Sequence, residues 1–156
     1  MGFQALIRMI KHTDLFDILV LAFGTKGDRE KLEPLMGTLG LSAVWGDLND
    51  YSLVYDCIRR SQMCLHVAAF VSPAADYYPQ RAMKNNYGVI KSLLRAIHEQ
   101  GRDDSYRFVY ICTVAETGDH MPPLHWGRVG DPIKPSMFDY YAVSKVIQGC
   151  GGENGH

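Results

Sequence analysis

Apolar residues recur along this chain at two different spacings, and the alternation between them predicts its elements. Phe3, Leu6, Ile7 and Ile10 fall at helical intervals, so residues 3–11 are predicted as a helix. The unbroken apolar run Ile18-Leu19-Val20-Leu21-Ala22 then reads as a buried strand. Gly24 and Gly27 end it, and residues 28–39 form a charged, weakly helical stretch interrupted by Pro34. Ser42-Ala43-Val44-Trp45 is a short strand that stops at Gly46-Asp47, residues 53–58 are a brief helix, and residues 63–69 are a further buried strand. The longest helical signal covers residues 79–100, where Ala82, Asn86, Val89, Ile90, Leu93, Leu94 and Ile97 share one stripe. Residues 107–112 make another strand, a polar loop rich in Gly, Pro and His follows, and residues 140–147 open a last helix.

Helices that alternate with uniformly apolar strands are the sequence form of βαβ units, whose parallel sheet is covered on both faces. The predicted class is α/β, doubly wound. Residues 1–147 are expected to form one domain, and residues 148–156, which lack periodicity, a disordered tail.

The composition, 47% hydrophobic and 21% charged, fits a soluble globular domain rather than a disordered or fibrous chain. A net charge of −1 with scattered basic residues gives no stripe that could track a phosphate backbone, so small molecules are expected as ligands and nucleic acid is not. No apolar run approaches the roughly 20 residues that span a bilayer, and no signal peptide pattern opens the chain, so no membrane association is expected and the expected location is cytoplasmic. The cysteines Cys57, Cys64, Cys112 and Cys150 show no CxxC spacing, and two sit in apolar runs, which fits a reducing compartment. His66 has no second ligand at metal-binding spacing and is read as a core or backbone-bonded imidazole; His12, His120 and His125 are likewise unsupported as ligands.

Tyr141-Ala142-Val143-Ser144-Lys145 carries a phenol and an ammonium at i and i+4, on one face of a helix, where both can act on one substrate atom. A nearby cation favours tyrosinate over the free phenol, whose pKa is near 10. YxxxK alone is a weak pattern that many amphipathic helices show. Order along the chain strengthens it. Upstream, the strand Tyr110-Ile111-Cys112 releases Thr113 before Gly118, at the strand end where open α/β sheets place ligands. Gly46-Asp47-Leu48-Asn49-Asp50, His66-Val67-Ala68-Ala69 and Asn85-Asn86-Tyr87-Gly88 stand further upstream.

In this order the motifs resemble the extended short-chain dehydrogenase/reductases, the NAD-dependent epimerase/dehydratase family, over residues 2–147. The resemblance implies a Rossmann-like fold and an NAD(P)-dependent enzyme acting on a nucleotide-sugar or a smaller carbonyl compound. Tyr141 would be its general acid/base, and Lys145 would lower the Tyr141 pKa and bind the nicotinamide ribose. Thr113 would hold the substrate oxygen. Asp47 would accept from the adenine amino group with Leu48 beside the ring, Ala68 and Ala69 would line the cofactor, and Asn85 would be the structural asparagine of the central helix. Simpler readings stand beside these: Asp47 as a turn or N-cap residue, Thr113 as a strand-end hydroxyl, Asn85 as a polar group satisfying a neighbouring strand. The loop at residues 122–128 is a candidate cover for the substrate pocket or a structural loop.

The chain departs from the family pattern at both ends. The fingerprint GxxGxxG, which seats a pyrophosphate at a helix N-terminus, is represented only by Gly2 as its third glycine, and no strand precedes it. No substrate-binding domain follows residue 147. The expectation is therefore a fragment, lacking the first strand at the centre of the sheet, that binds cofactor weakly or not at all and turns over no substrate. Phe23-Gly24-Thr25 stands where a carboxylate would select a free ribose, with Lys26 and Arg29 near enough to pair a 2′-phosphate; this leans to NADP over NAD, the alternative being plain surface solvation. A non-catalytic nucleotide-binding relative and an inactive remnant are the competing readings, and the complete protein could pair as a homodimer.

Overall fold

Strand β1 (Ile18–Ala22) and strand β2 (Leu41–Trp45) pair in parallel, with Ile18 opposite Leu41 and Ala22 opposite Trp45. The parallel arrangement follows from the connection, because the chain between them is long enough to hold helix α2 (Lys26–Leu32) and so can cross over and return in the same direction. This computed structural model describes residues 2–118 and 133–150. The chain divides into two units, Met1–Val67 with Ala96–Val109, and Ala68–Arg95 with Tyr110–His156.

In the first unit, helix α1 (Gly2–Met9) contributes Leu6 and α2 contributes Leu32 to one buried cluster with Ile18 and Leu41, and Phe3, Met9, Ile10, Val20 and Trp45 pack around it. Each such aliphatic side chain removed from water contributes roughly 1.5–3 kcal/mol. Helix α2 begins two residues earlier than the charge pattern indicates. Thr25 Oγ1 accepts from Asp28 N while the Asp28 carboxylate accepts from Thr25 N, a reciprocal cap that satisfies two amides at the helix start. Helix α3 (Tyr51–Arg59) starts the same way, with the Asp50 carboxylate accepting from Ser52 N and Leu53 N, and it buries Val54 and Ile58.

Strand β3 (Met63–His66) pairs with β4 (Arg107–Tyr110) in a second two-stranded sheet. Both are shorter than their apolar runs. The chain past His66 leaves the ladder, and Cys112, beyond the end of β4, is exposed rather than buried. Side chains tie the flanks of these strands together: Ser61 Oγ and the Tyr106 hydroxyl lie 2.6 Å apart, and Arg102 Nη1 donates to Ile58 O at 2.8 Å.

The second unit holds the short helices α4 (Ala74–Tyr77) and α5 (Pro79–Met83), the start of α6 (Val89–Glu99) and helix α7 (Tyr140–Cys150). Ala75, Ala82, Val89, Ile90, Leu93 and Ala142 are buried there. The helix expected over residues 79–100 is interrupted by a π turn at Lys84–Gly88. Such a turn inserts one residue into the helical count, and Asn86 within it is fully buried, on the face where the apolar stripe puts it. Helix α7 continues to Cys150, past the expected stop at Ile147, because its backbone ladder carries Gly149 despite glycine's low propensity. The loop at 122–128, His120 and His125, and tail residues 151–156 lie outside the described residues. No helix among the described residues is long and apolar enough to cross a membrane.

Burial pushes the Cys64 thiol up from its ordinary 9.0 to about 11. A raised acid pKa favours folding while the thiol is neutral, so this contribution is complete below pH 9 and is lost as pH rises toward 11. The advantage of the parent over Cys64→Ala in urea midpoint should therefore shrink by roughly 2–3 kcal/mol over that window. An advantage constant with pH would contradict the assignment.

Candidate active site

Helix α7 turns an unusual face inward. Ala142 and Ser144 are fully buried and Lys145 is 2% exposed, so two of the three inward side chains are polar. The helix is started by Asp139, whose carboxylate accepts from Ala142 N at 2.8 Å, and Tyr140 N donates to Asp76 Oδ1 at 3.2 Å. These caps fix where the first turn lies and hence where Tyr141 points.

Lys145 Nζ donates to the Ile111 carbonyl at 2.9 Å, just past the end of β4, and lies 6.0 Å from the centre of the Tyr141 ring. Burial holds its pKa below the ordinary lysine value, while Cys112 and Glu116 act in the opposite direction. Thr113, two residues after Ile111, caps a 3-10 turn (Val114–Thr117): its Oγ1 accepts from Ala115 N, and its own N–H donates to the Glu116 carboxylate. The Thr113 side chain lies near enough to the half-buried Tyr141 phenol to favour its ionised form. Burial raises the Tyr141 pKa, Thr113 acts to lower it, and Glu116 and Asp139 raise it further. Gly118 closes the turn at φ +81°, and a Cβ there would collide with the Lys134 carbonyl. Thr113, Tyr141 and Lys145 are thus brought together within the second unit.

Ala68 is exposed and Ala69 half-buried in the same unit. The remaining residues expected at a cofactor lie in the first unit. Gly2 opens α1, whose first turn has no acidic side chain, and a Cβ on it would come within 2.8 Å of Val67 Cγ2, so a larger residue would force this helix start away. That close, uncharged helix start fits a pyrophosphate. The Asp47 carboxylate accepts from both Asn49 N and Asn49 Nδ2 at 2.8 Å, the turn geometry of the simpler reading, with Leu48 half-buried beside it. Arg29 stacks over the Trp45 ring at 4.7 Å, donates from Nε to Gly24 O and pairs with Glu33. Lys26 is solvated and lies 3.8 Å from Glu30.

Sequence reasoning placed Asn86 on the buried stripe but gave the structural role to Asn85, and it passed over Glu116. Asn86 is the buried amide: Asn85 is half-buried and donates to Arg81 O, whereas Asn86 bonds the Phe70 backbone and Ser144. Glu116 was legible in the spacing Thr113-Val114-Ala115-Glu116, a capping-box signature.

The model of the NAD dependent epimerase/dehydratase family matches residues 4–148. Among solved structures, a UDP-Glc/GlcNAc 4-epimerase from Campylobacter jejuni aligns with a TM-score of 0.81 at 22% identity, covering 96% of this chain and 44% of its own. A dTDP-glucose 4,6-dehydratase double mutant from Streptomyces venezuelae, solved with NAD bound, aligns at 0.76 and 22% identity, covering 93% and 45%. A UDP-glucose 4-epimerase from Bifidobacterium longum, in complex with NAD+ and UDP, gives 0.75 at 15% identity, covering 95% and 43%. The chain spans less than half the length of these structures, and the likeness establishes a Rossmann-like fold. No curated protein matches it.

Removing the Thr113 hydroxyl takes away the group that favours the ionised phenol. Thr113→Val should raise the Tyr141 pKa further, read by NMR of ring-labelled tyrosine with Tyr141→Phe to assign the signal. A fall, or no change, would place that hydroxyl elsewhere.

Proposed function

This chain belongs to the NAD-dependent epimerase/dehydratase family, and on that premise we propose that it carries the proton-transfer groups of an enzyme acting on a nucleotide-sugar or a smaller carbonyl compound. The observation that carries the reading is the buried Lys145 ammonium, bonded to Ile111 O and 6.0 Å from the Tyr141 ring, with Thr113 two residues beyond Ile111 and near enough to the phenol to favour its ionised form. It provides two hydroxyls for one substrate oxygen and a cation on the same helix face.

In the proposed chemistry Tyr141 moves a proton at the substrate hydroxyl or carbonyl oxygen, and Thr113 holds that oxygen by a second hydrogen bond. With its pKa raised by burial, Tyr141 is a phenol at neutral pH and is poised first as an acid. Lys145 serves as the fixed positive charge that limits the cost of the tyrosinate when Tyr141 acts as a base. A bound nicotinamide would supply the hydride acceptor or donor. Gly2, Asp47, Leu48, Ala68 and Ala69 are the residues proposed to hold such a cofactor, together with Tyr141 and Lys145. Arg29 favours NADP over NAD in this proposal, because a guanidinium placed over the Trp45 ring can offer a planar fork to a 2′-phosphate. Lys26 would add charge without fixed geometry. The Asp47 carboxylate, which already closes its own turn, retains acceptor capacity for an adenine amino group. We place the enzyme in the cytoplasm, as a partner of small molecules.

Millimolar NAD+ and NADP+ titrated into labelled chain should shift the NMR signals of Tyr141, Lys145 and Thr113 together, so that even weak binding is read. Shifts confined to other residues, or none at saturating nucleotide, would overturn the reading. Arg29→Ala should weaken NADP+ about tenfold and leave NAD+ unchanged. Equal loss for both would assign Arg29 to folding.

A further inference from the structure

Ser144 lies between the two reactive residues of α7 and has no surface exposure, and its Oγ bonds two atoms among the described residues. Asn86 Nδ2 donates to its Oγ at 2.7 Å, and that Oγ donates to the Tyr141 carbonyl at 2.8 Å. The same Asn86 amide accepts from Phe70 N at 2.8 Å and donates to Phe70 O at 3.1 Å. One side chain thus satisfies a backbone donor, a backbone acceptor and a buried hydroxyl, which uses both amide hydrogens and one oxygen. The amide cannot turn over, because a flip would set nitrogen against the Phe70 N–H and oxygen against the Phe70 carbonyl. Its second hydrogen is therefore aimed at Ser144 Oγ.

Resting on the proposed roles of Tyr141 and Lys145, we infer that Asn86 and Ser144 form a buried pin that sets the height and rotation of α7 and so positions Lys145 against Ile111 O and Tyr141 against Thr113. The arrangement of the unit supports this. Between Asp139 and Lys145, α7 has its cap at one end and the Lys145 bond at the other; the Asn86–Ser144 bond is the fully buried polar tie between them. A slip of one residue along the helix is a 1.5 Å translation, enough to separate a proton donor from its acceptor. The pin also reaches the chain that follows Ala68 and Ala69, because Phe70 is its other anchor. Asn86 sits within the π turn at Lys84–Gly88 and is fully buried. Arg81, lying over the Phe70 ring at 5.3 Å, holds that anchor from the other side. Ser144 and Asn86 act through other residues, as positioning groups.

The test reads Lys145 without any cofactor, so it stands or falls separately from nucleotide binding. Ser144→Ala suits the helix and keeps every bond from Asn86 to Phe70. Side-chain NMR of labelled lysine should show the Lys145 pKa rising toward its ordinary 10.5, as the ammonium leaves its buried site. Cys112 and Glu116, the other groups acting on this ammonium, remain in place. Its acylation by an amine reagent should also become about fivefold faster or more, the behaviour of a locally opened site. Ser144→Thr, which restores the hydroxyl, should return both readouts toward the parent. Leu93→Ala, which loosens the same unit away from the pin, should lower stability and leave both unchanged. Unaltered Lys145 titration and acylation in Ser144→Ala, or equal changes in Leu93→Ala, would overturn the inference. If Ser144→Thr fails to fold, Ser144→Ala against Leu93→Ala decides it alone. Should nucleotide fail to shift Tyr141 and Lys145 while Ser144→Ala releases Lys145, the pin stands and the catalytic reading falls.

Discussion

A lysine ammonium with almost no access to water has to find its hydrogen bonds inside the protein, and Lys145 finds one at the Ile111 carbonyl. Leaving such a group buried and unpartnered costs several kcal/mol, so the site tolerates few arrangements of α7 against the chain leaving β4. Because the acceptor belongs to the backbone, no substitution at position 111 can remove it directly. What can change is the register of the strand end or the height of the helix. The constraint passes to both neighbours at once: Thr113 follows Ile111 by two residues, and Tyr141 precedes Lys145 by one helical turn. Two sequence-distant hydroxyls are brought together because a cation has one place to go.

The same burial produces opposite effects on the two groups. It disfavours the charged lysine and the charged tyrosine alike, lowering one pKa and raising the other. The expectation that Lys145 brings the Tyr141 pKa down is not met: burial and the carboxylates of Glu116 and Asp139 raise it and outweigh the opposing influence of Thr113. A tyrosine so placed keeps its proton at neutral pH.

Much of the fold was legible because long-period signals survive local error. The apolar run at residues 18–22 and the stripe through Val89, Ile90 and Leu93 each identify an element regardless of its exact bounds. The parallel pairing of β1 with β2 follows from the helix between them. The catalytic candidates were legible for a different reason: hydroxyl and ammonium at fixed offsets on one helix carry information that burial does not blur. What remained hidden depends on one-residue events. The structural role falls to Asn86 and not to its neighbour Asn85, and the early ends of β3 and β4 leave Cys112 in solvent. Ser144 was visible inside the YxxxK stretch, but nothing in its spacing says that a serine goes inward, since the partner that makes its burial affordable lies 58 residues away.

The cap at Thr113 also limits what its hydroxyl can offer. One lone pair of Thr113 Oγ1 is committed to the Ala115 amide, and the Thr113 N–H is taken by the Glu116 carboxylate, so the turn holds residue 113 by both its side chain and its backbone. What the hydroxyl keeps is its own hydrogen and one lone pair. An oxygen arriving beside Tyr141 therefore meets a hydroxyl fixed in place yet still able to donate or to accept, and a short 3-10 turn becomes the mount on which that choice is left open.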